Sequence, residues 1–317
     1  MNVTACACAN IALVKYWGKR DAELNLPAAG SLSLTLDDLV THTSVTWHGG
    51  PIDEFVLNGR PQTGEALLRV SRFLDLVRGL AHSDSRARVS SENSFPTASG
   101  LASSSSAFAA LALAATRAAG LDLLPIDLSR LARRGSGSAA RSIFGGFVAM
   151  HPDGHAEPLA HEWDLCLVVA TVGDGAKAIS SRDGMTRTQH TSPLYPAFLA
   201  TVADDLARAR AAIAARDLHA LGAVAERSAL AMHGSAMAAR PAVVYFRGAT
   251  VEALHRVREL RDDGIAAYAT IDAGPHVKVL CEPAVATRVA EALGGVPGIT
   301  ATRLCRPGGG VEVVSVE

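Results

Sequence analysis

Five short segments of this 317-residue chain gather small, hydroxylic and charged residues in patterns that can hold phosphate groups and activate a hydroxyl. The first, Pro96-Thr97-Ala98-Ser99-Gly100-Leu101-Ala102-Ser103-Ser104-Ser105-Ser106, runs directly into an alanine-rich helical stretch. Small residues let the backbone approach a ligand. The unpaired N–H groups and positive dipole end of a helix start favour phosphate oxygens. The Gly-Lys-Ser/Thr of a Walker A loop is missing, so neutralising charge must come from elsewhere. An ordinary serine cap is the plainer reading, although capping needs fewer than four serines. A second segment of the same kind, Gly135-Ser136-Gly137-Ser138-Ala139-Ala140-Arg141-Ser142, opens a short helix. Its Ser138 and Arg141, three apart, would share a face and meet one anion.

The third segment, Lys15-Tyr16-Trp17-Gly18-Lys19-Arg20, carries two lysines four apart, expected to project to one side and crowd unless an anion lies between them. A solvated basic turn is the ordinary alternative. The fourth, Ser180-Ser181-Arg182-Asp183-Gly184-Met185 after Lys177, reads as a polar loop able to supply another basic contact. The fifth, Thr270-Ile271-Asp272-Ala273-Gly274-Pro275-His276, places an acid where an apolar strand meets a Gly-Pro turn. Turn chemistry explains such an aspartate. Catalysis explains it as well, because a carboxylate at a loop edge near lysines can orient or deprotonate a hydroxyl that attacks ATP.

The elements that must position these residues follow from periodicity. Strands are expected at 3–14 and 31–47, helices at about 62–81, 101–119, 126–134 and 138–145, then strands at 146–150 and 165–171. Beyond Ser192 the texture changes to long Ala/Leu/Arg helices at about 194–215, 217–237 and 248–263. Strands at 265–271 and 277–280 and a helix near 284–294 follow. This is an α+β layout in two lobes, with a boundary near residue 190.

Composition narrows the function. Lys and Arg total 30 against 31 Asp and Glu, and only 5% of residues are aromatic, which disfavours a nucleic-acid partner. Cys6, Cys8, Cys166, Cys281 and Cys305 are odd in number and lack zinc-like spacing, so they read as reduced core residues and no protein-held metal is expected. The opening Met1-Asn2-Val3-Thr4 lacks a signal-peptide pattern, and the apolar run Ala107 to Ala115 is too short to span a bilayer. A cytoplasmic protein with no membrane partner is therefore expected.

Together the segments resemble the mevalonate diphosphate decarboxylase family, within the galactokinase, homoserine kinase, mevalonate kinase and phosphomevalonate kinase superfamily. Asn10-Ile11-Ala12-Leu13-Val14-Lys15-Tyr16-Trp17-Gly18-Lys19-Arg20-Asp21 resembles the family's opening signature, and Asn93 to Ser104 its ATP loop. Gly135 to Arg141, Ile179 to Met185 and Asp272-Ala273-Gly274-Pro275 resemble three more, in order. The resemblance implies a lobe like ribosomal protein S5 domain 2 over residues 1–190 and a ferredoxin-like lobe over 191–317, with the active site between them. It also implies a reaction: MgATP phosphorylates the tertiary 3-hydroxyl of mevalonate 5-diphosphate, then phosphate and CO2 leave to give isopentenyl diphosphate. A mevalonate-type kinase or phosphomevalonate decarboxylase of the same superfamily is the first alternative, and a non-catalytic ligand-binding paralogue the second.

By the same resemblance Asp272 acts on the hydroxyl with Lys15 as its electrostatic partner, and Arg141 holds the substrate carboxylate. Tyr16, Lys19, Ser136, Ser138, Ser181 and Arg182 contact the 5-diphosphate. Pro96, Ser99, Gly100, Leu101, Ala102, Ser103, Ser104 and Lys177 serve ATP and its Mg2+. The resemblance also implies a homodimer. The chain departs from the family pattern at Ala28-Ala29-Gly30, where a polar residue is usual, and at His276, where Asn is usual; His276 is expected to add a titrating group beside Asp272.

Overall fold

Apolar residues alternating with Ser, Thr and Cys build the two longest strands of the computed structural model, which describes residues 1–95, 103–160, 162–173 and 179–317. In chain order the first part contains β1 (Asn2–Val14), β2 (Lys19–Asp21), β3 (Leu26–Pro27), β4 (Ser31–His48), β5 (Glu54–Leu57), β6 (Arg60–Pro61), α1 (Gly64–Ala81), β7 (Arg86–Asn93), α2 (Ser103–Ala118) and α3 (Pro125–Gly135). A 3-10 helix (Gly137–Ile143), β8 (Phe147–Met150) and β9 (Ala156–Pro158) follow. Next come β10 (Cys166–Val172), α4 (Ser181–Thr191), α5 (Tyr195–Ala215), α6 (Leu218–Met237), α7 (Gly248–Asp262), β11 (Ala267–Ile271), β12 (Val277–Cys281), α8 (Ala286–Gly294), β13 (Ile299–Cys305) and β14 (Glu312–Val316).

The first sheet runs β14-β1-β4-β7-β5-β6, with β8 also on β4 and β9 on β8. Strand β1 alternates between buried and half-buried residues as far as Cys8, and every residue from Ala9 to Val14 is buried. The register against β4 shifts between Cys8 and Asn10 and again between Ala12 and Val14. Such bulges re-aim side chains, and here they end at Lys15, immediately beyond the strand. Helix α2 lies on this sheet through Ala109, Ala110, Ala112, Ala114 and Ala115, which share a core with Ala5, Ala7 and Val45. Its small side chains allow a helix to sit close to the sheet.

The second sheet runs β11-β12-β10-β13. Helices α7 and α8 cover one face through Val257, Leu260, Val289 and Leu293. The other face contributes Leu167, Val169 and Leu280 to a core shared with β1 and with α5 and α6. Alternation along β12 therefore sends Val277 and Val279 to the α7/α8 side and Leu280 toward the first sheet. A single cut near residue 190 does not separate the two sheets, since β10 pairs within the second and β14 returns to β1 in the first. Ladder pairing between segments distant in sequence decides membership, and the change in helix texture carries no information about it.

Two local expectations change. Residues 181–185 are the start of helix α4 and not a loop: Ser180 caps it, its Oγ accepting from the Asp183 N–H at 3.1 Å and donating to Asp183 Oδ2 at 2.6 Å. The helix expected at 138–145 is the 3-10 turn Gly137–Ile143. Strand β7 is weakly marked in the sequence because only Ala87 and Val89 of its three buried inward positions are apolar, the third being Ser91.

Candidate active site

The end of β11 delivers Asp272 to a place where two ammonium groups meet its carboxylate. Lys15 Nζ lies 2.7 Å from Oδ1 and Lys278 Nζ 3.2 Å from Oδ2, both lysines being fully buried while Asp272 keeps a fifth of its side chain exposed. Lys15 Nζ also donates to the Ala12 carbonyl at 2.7 Å, and its backbone N–H donates to Ser228 Oγ at 3.0 Å, so the bulge and α6 together fix this lysine. Burial would raise the Asp272 pKa, but the two lysine charges outweigh it and hold the carboxyl well below the usual range. Burial pushes Lys15 down to about 8 against the opposing pull of Asp272. His233, buried behind these groups, is pushed down to about 3 by burial and then by Lys15, and stays neutral.

Lys278 escaped the sequence reading, which took Val277 to Leu280 as a strand and gave its lysine no role. The available signal was a lysine inside a strand with every residue buried, because a buried ammonium needs an acidic partner. Register supplies that partner: Lys278 pairs with Thr270, two residues before Asp272. His276 immediately precedes β12. Its Nδ1 accepts the Val172 N–H at 2.9 Å, which ties the ring to β10.

Arg141 is almost completely buried and held by a ring of acceptors. Nε donates to Asn10 Oδ1 at 3.2 Å and Ser33 Oγ at 2.9 Å, and Nη1 donates to Ser31 Oγ. Asn10 is oriented in turn by donating from Nδ2 to the Ser138 carbonyl at 3.0 Å and Ser142 Oγ at 2.8 Å. The inward serines of β4 thus hold a guanidinium whose pKa burial pushes down to about 10 against the opposing pull of the Asp272 carboxylate. Bonds to the described residues use Nε and Nη1, which leaves Nη2 for a ligand.

Lys15 and Lys19 do not crowd together. Lys19 Nζ turns to Asn25 Oδ1 at 2.6 Å, and Asn25 Nδ2 donates to the Arg134 carbonyl at 2.6 Å. The intervening Gly18 has a φ of +102°, which redirects the chain between the two lysines. Lys19 is pushed down to about 8 by burial and by the Arg182 and Arg69 charges. Exposed Arg182, in the first turn of α4, therefore faces the same space as Lys19, with Ser181 beginning that helix. Ser136 links the two serine segments, its Oγ lying 3.2 Å from Ser104 Oγ and 3.4 Å from Ser138 Oγ.

Tyr16 is pushed up to about 12 by burial, and its hydroxyl has no partner among the described residues. Gly137 admits it, since a Cβ there would lie 2.3 Å from the hydroxyl oxygen. Gly137→Ala is expected to displace Tyr16 from the turn between Lys15 and Lys19 and, if that turn binds substrate, to raise KM roughly 10-fold. Steady-state kinetics checks this, and an unchanged KM would remove Tyr16 from the binding site.

A cavity of about 200 Å³ opens beside the start of α2, lined among others by Phe55, Arg69, Asn93, Ser103, Ser104 and Phe108. Arg69 was missed in the sequence. Its Nη2 donates to the Gly135 carbonyl at 2.8 Å, its guanidinium carbon stands 4.5 Å over the Phe108 ring, and its Nε lacks a partner among the described residues. Asn93 Nδ2 is likewise buried without a described partner. Orphaned donors beside hydroxyls and an aromatic ring suit a nucleotide. Pro96, Ser99, Gly100, Leu101, Ala102 and Lys177, expected at this site, lie outside the described residues.

Comparison with known proteins places this geometry. Residues 7–159 match the model of the diphosphomevalonate decarboxylase-like N-terminal domain, and residues 167–301 match that of the mevalonate 5-diphosphate decarboxylase C-terminal domain. The chain belongs to the diphosphomevalonate decarboxylase family. A diphosphomevalonate decarboxylase of Aspergillus fumigatus is 35% identical over 87% of this chain and 76% of its own. The crystal structure of mevalonate diphosphate decarboxylase from Staphylococcus aureus superposes with a TM-score of 0.95 at 38% identity, covering 99% of this chain and 98% of its own. A structure of MDDEF in complex with MVAPP, AMPPCP and magnesium gives 0.94 at 42% identity over 100% and 99%. The two-lobed α+β fold of the superfamily is thereby established for this decarboxylase-family chain, and the two family models meet between β9 and β10, where the chain passes from one sheet to the other.

Proposed function

We propose that Asp272, Lys15, Lys278 and Arg141 carry out the reaction of this family, the ATP-dependent decarboxylation of mevalonate 5-diphosphate to isopentenyl diphosphate, ADP, phosphate and CO2. The observation that carries the reading is the Asp272 carboxylate fixed between two buried ammonium groups at the meeting of the lobes. A carboxylate held so far below its usual pKa is a weak base. It accepts a hydrogen bond from the 3-hydroxyl and orients it, and takes the proton only as that oxygen bonds to phosphorus and becomes acidic. Lys15 and Lys278 keep the carboxylate ionised until then.

Arg141, anchored by Asn10, Ser31 and Ser33, receives the substrate carboxylate. Once the tertiary oxygen carries a phosphoryl group it becomes a good leaving group. Departure of phosphate leaves an electron-poor carbon, and the C–C bond to the carboxylate supplies the electron pair as CO2 leaves. Lys19, Arg182, Tyr16, Ser136, Ser138 and Ser181 hold the 5-diphosphate, which fixes position more than it alters the chemistry. Ser103 and Ser104, with Arg69 and Asn93, line the nucleotide cavity. Mg2+, bound with the nucleotide, neutralises charge on its phosphates. The substrates are charged and water-soluble, which supports a cytoplasmic enzyme, and no described helix is long and apolar enough to cross a membrane.

Supplying (R)-mevalonate 5-diphosphate and MgATP to the purified protein is expected to yield ADP, phosphate and CO2 in equal amounts. ADP without CO2 would replace this reading with that of a kinase of the same superfamily.

A further inference from the structure

We propose that His151, His155 and Glu157 form a binding site for a divalent transition-metal ion such as Zn2+ on the β8–β9 hairpin, a site separate from the residues assigned to the reaction. One ligand atom from each of the three lies within 4.8 Å of the others. The backbone builds this proximity. Met150 pairs with Ala156 and Ala149 with Glu157, and the turn closes through His151 N–H to the His155 carbonyl at 2.9 Å and Gly154 N–H to the His151 carbonyl at 2.9 Å. Gly154, with a φ of +87°, completes it. The two imidazoles consequently stack with centroids 4.4 Å apart and planes 11° from parallel.

The protonation pattern suits metal binding. His155 Nδ1 lies 2.7 Å from Asp153 Oδ1, so the proton sits on Nδ1 and the Nε2 lone pair is the ligand, oriented by a carboxylate as metal-bound imidazoles usually are. His151 Nε2 lies 2.9 Å from Glu157 Oε1, the oxygen that Arg210 also meets at 3.0 Å, and Oε2 remains for the ion. When metal binds, His151 Nε2 gives up its contact with Glu157 and both groups turn to the cation.

Tetrahedral coordination at bond lengths of about 2.0–2.1 Å sets ligand atoms about 3.3 Å apart. Closing from within 4.8 Å takes side-chain rotation by groups that are only partly buried, 34% exposed at His151 and 44% at Glu157. The imidazole pair selects Zn2+, Co2+ or Ni2+ over the Mg2+ that accompanies ATP. The turn is anchored independently, since Arg133 Nη1 donates to the Asp153 carbonyl at 3.2 Å and Arg20 Nη2 to the Pro152 carbonyl at 3.2 Å.

Titration of the full-length, nucleotide-free protein with Co2+, followed by its visible ligand-field bands, is the test. One saturable equivalent is expected, displaced by Zn2+ but not by a large excess of Mg2+. His155→Ala and Glu157→Gln should each weaken binding at least 10-fold, with MgATP-dependent turnover retained as a sign of intact folding. Asp272→Asn should bind Co2+ like the unaltered protein, so the outcome is independent of the reaction assigned above. Equal affinity in all variants, no binding, or a near-ultraviolet thiolate-to-cobalt band placing the ion on cysteines would each overturn the proposal.

Discussion

Asp272→Asn is expected to lower kcat about 1000-fold while changing KM for either substrate by no more than a few-fold. The amide keeps the size of the side chain but can neither orient the hydroxyl as an anionic acceptor nor take its proton. It also strands two buried ammonium groups, Lys15 and Lys278, whose charges the carboxylate balances. A loss confined to turnover would place the interaction in the transition state. Equal losses in kcat and substrate affinity, measured by single-turnover kinetics and direct binding, would instead make Asp272 a ground-state contact and remove the basis of the mechanism. Far-UV circular dichroism and thermal unfolding of the variant separate these outcomes from loss of fold.

Much of the candidate site was legible in the sequence because its residue types stand in unusual local compositions. Glycines beside serines, a Lys-Tyr-Trp-Gly-Lys turn and an acid before Gly-Pro have few structural uses in common. What the sequence concealed are residues that act through long-range pairing. Lys278 sits in an apolar strand and acquires meaning only when the register sets it against Thr270 and so beside Asp272. Arg69 belongs to an amphipathic helix whose periodicity explains it as a surface charge, yet it reaches the Gly135 carbonyl 66 residues away. Lys15 and Lys19 were misjudged for the reverse reason, since sequence spacing implied contact and the left-handed Gly18 separates them. The same limit applies to the fold, where the long strands and helices follow from periodicity but the return of β14 to β1 depends on pairing across the whole chain.

The Lys278→Met variant tests the part of the site that the sequence did not disclose. Methionine fills a similar volume without charge, so packing around β12 is largely kept and the electrostatic contribution is removed. A kcat loss of roughly 100-fold is expected, comparable to removing one fixed electrostatic group from a buried active site. The pH profile provides the more specific signature. Lys278 helps hold the Asp272 pKa down and also depresses that of Lys15. Removing its charge raises both. The acid limb, where Asp272 becomes protonated and activity falls, should therefore move to higher pH. In the unaltered enzyme kcat/KM should fall above about pH 8 as Lys15 and Lys19 lose their protons. The Lys15 contribution to that limb should also move upward in the variant, while Lys19, which responds to Arg182 and Arg69, should not follow. A purely structural lysine would change rate or stability without moving either limb, and rescue by Lys278→Arg with a restored profile would assign the effect to charge.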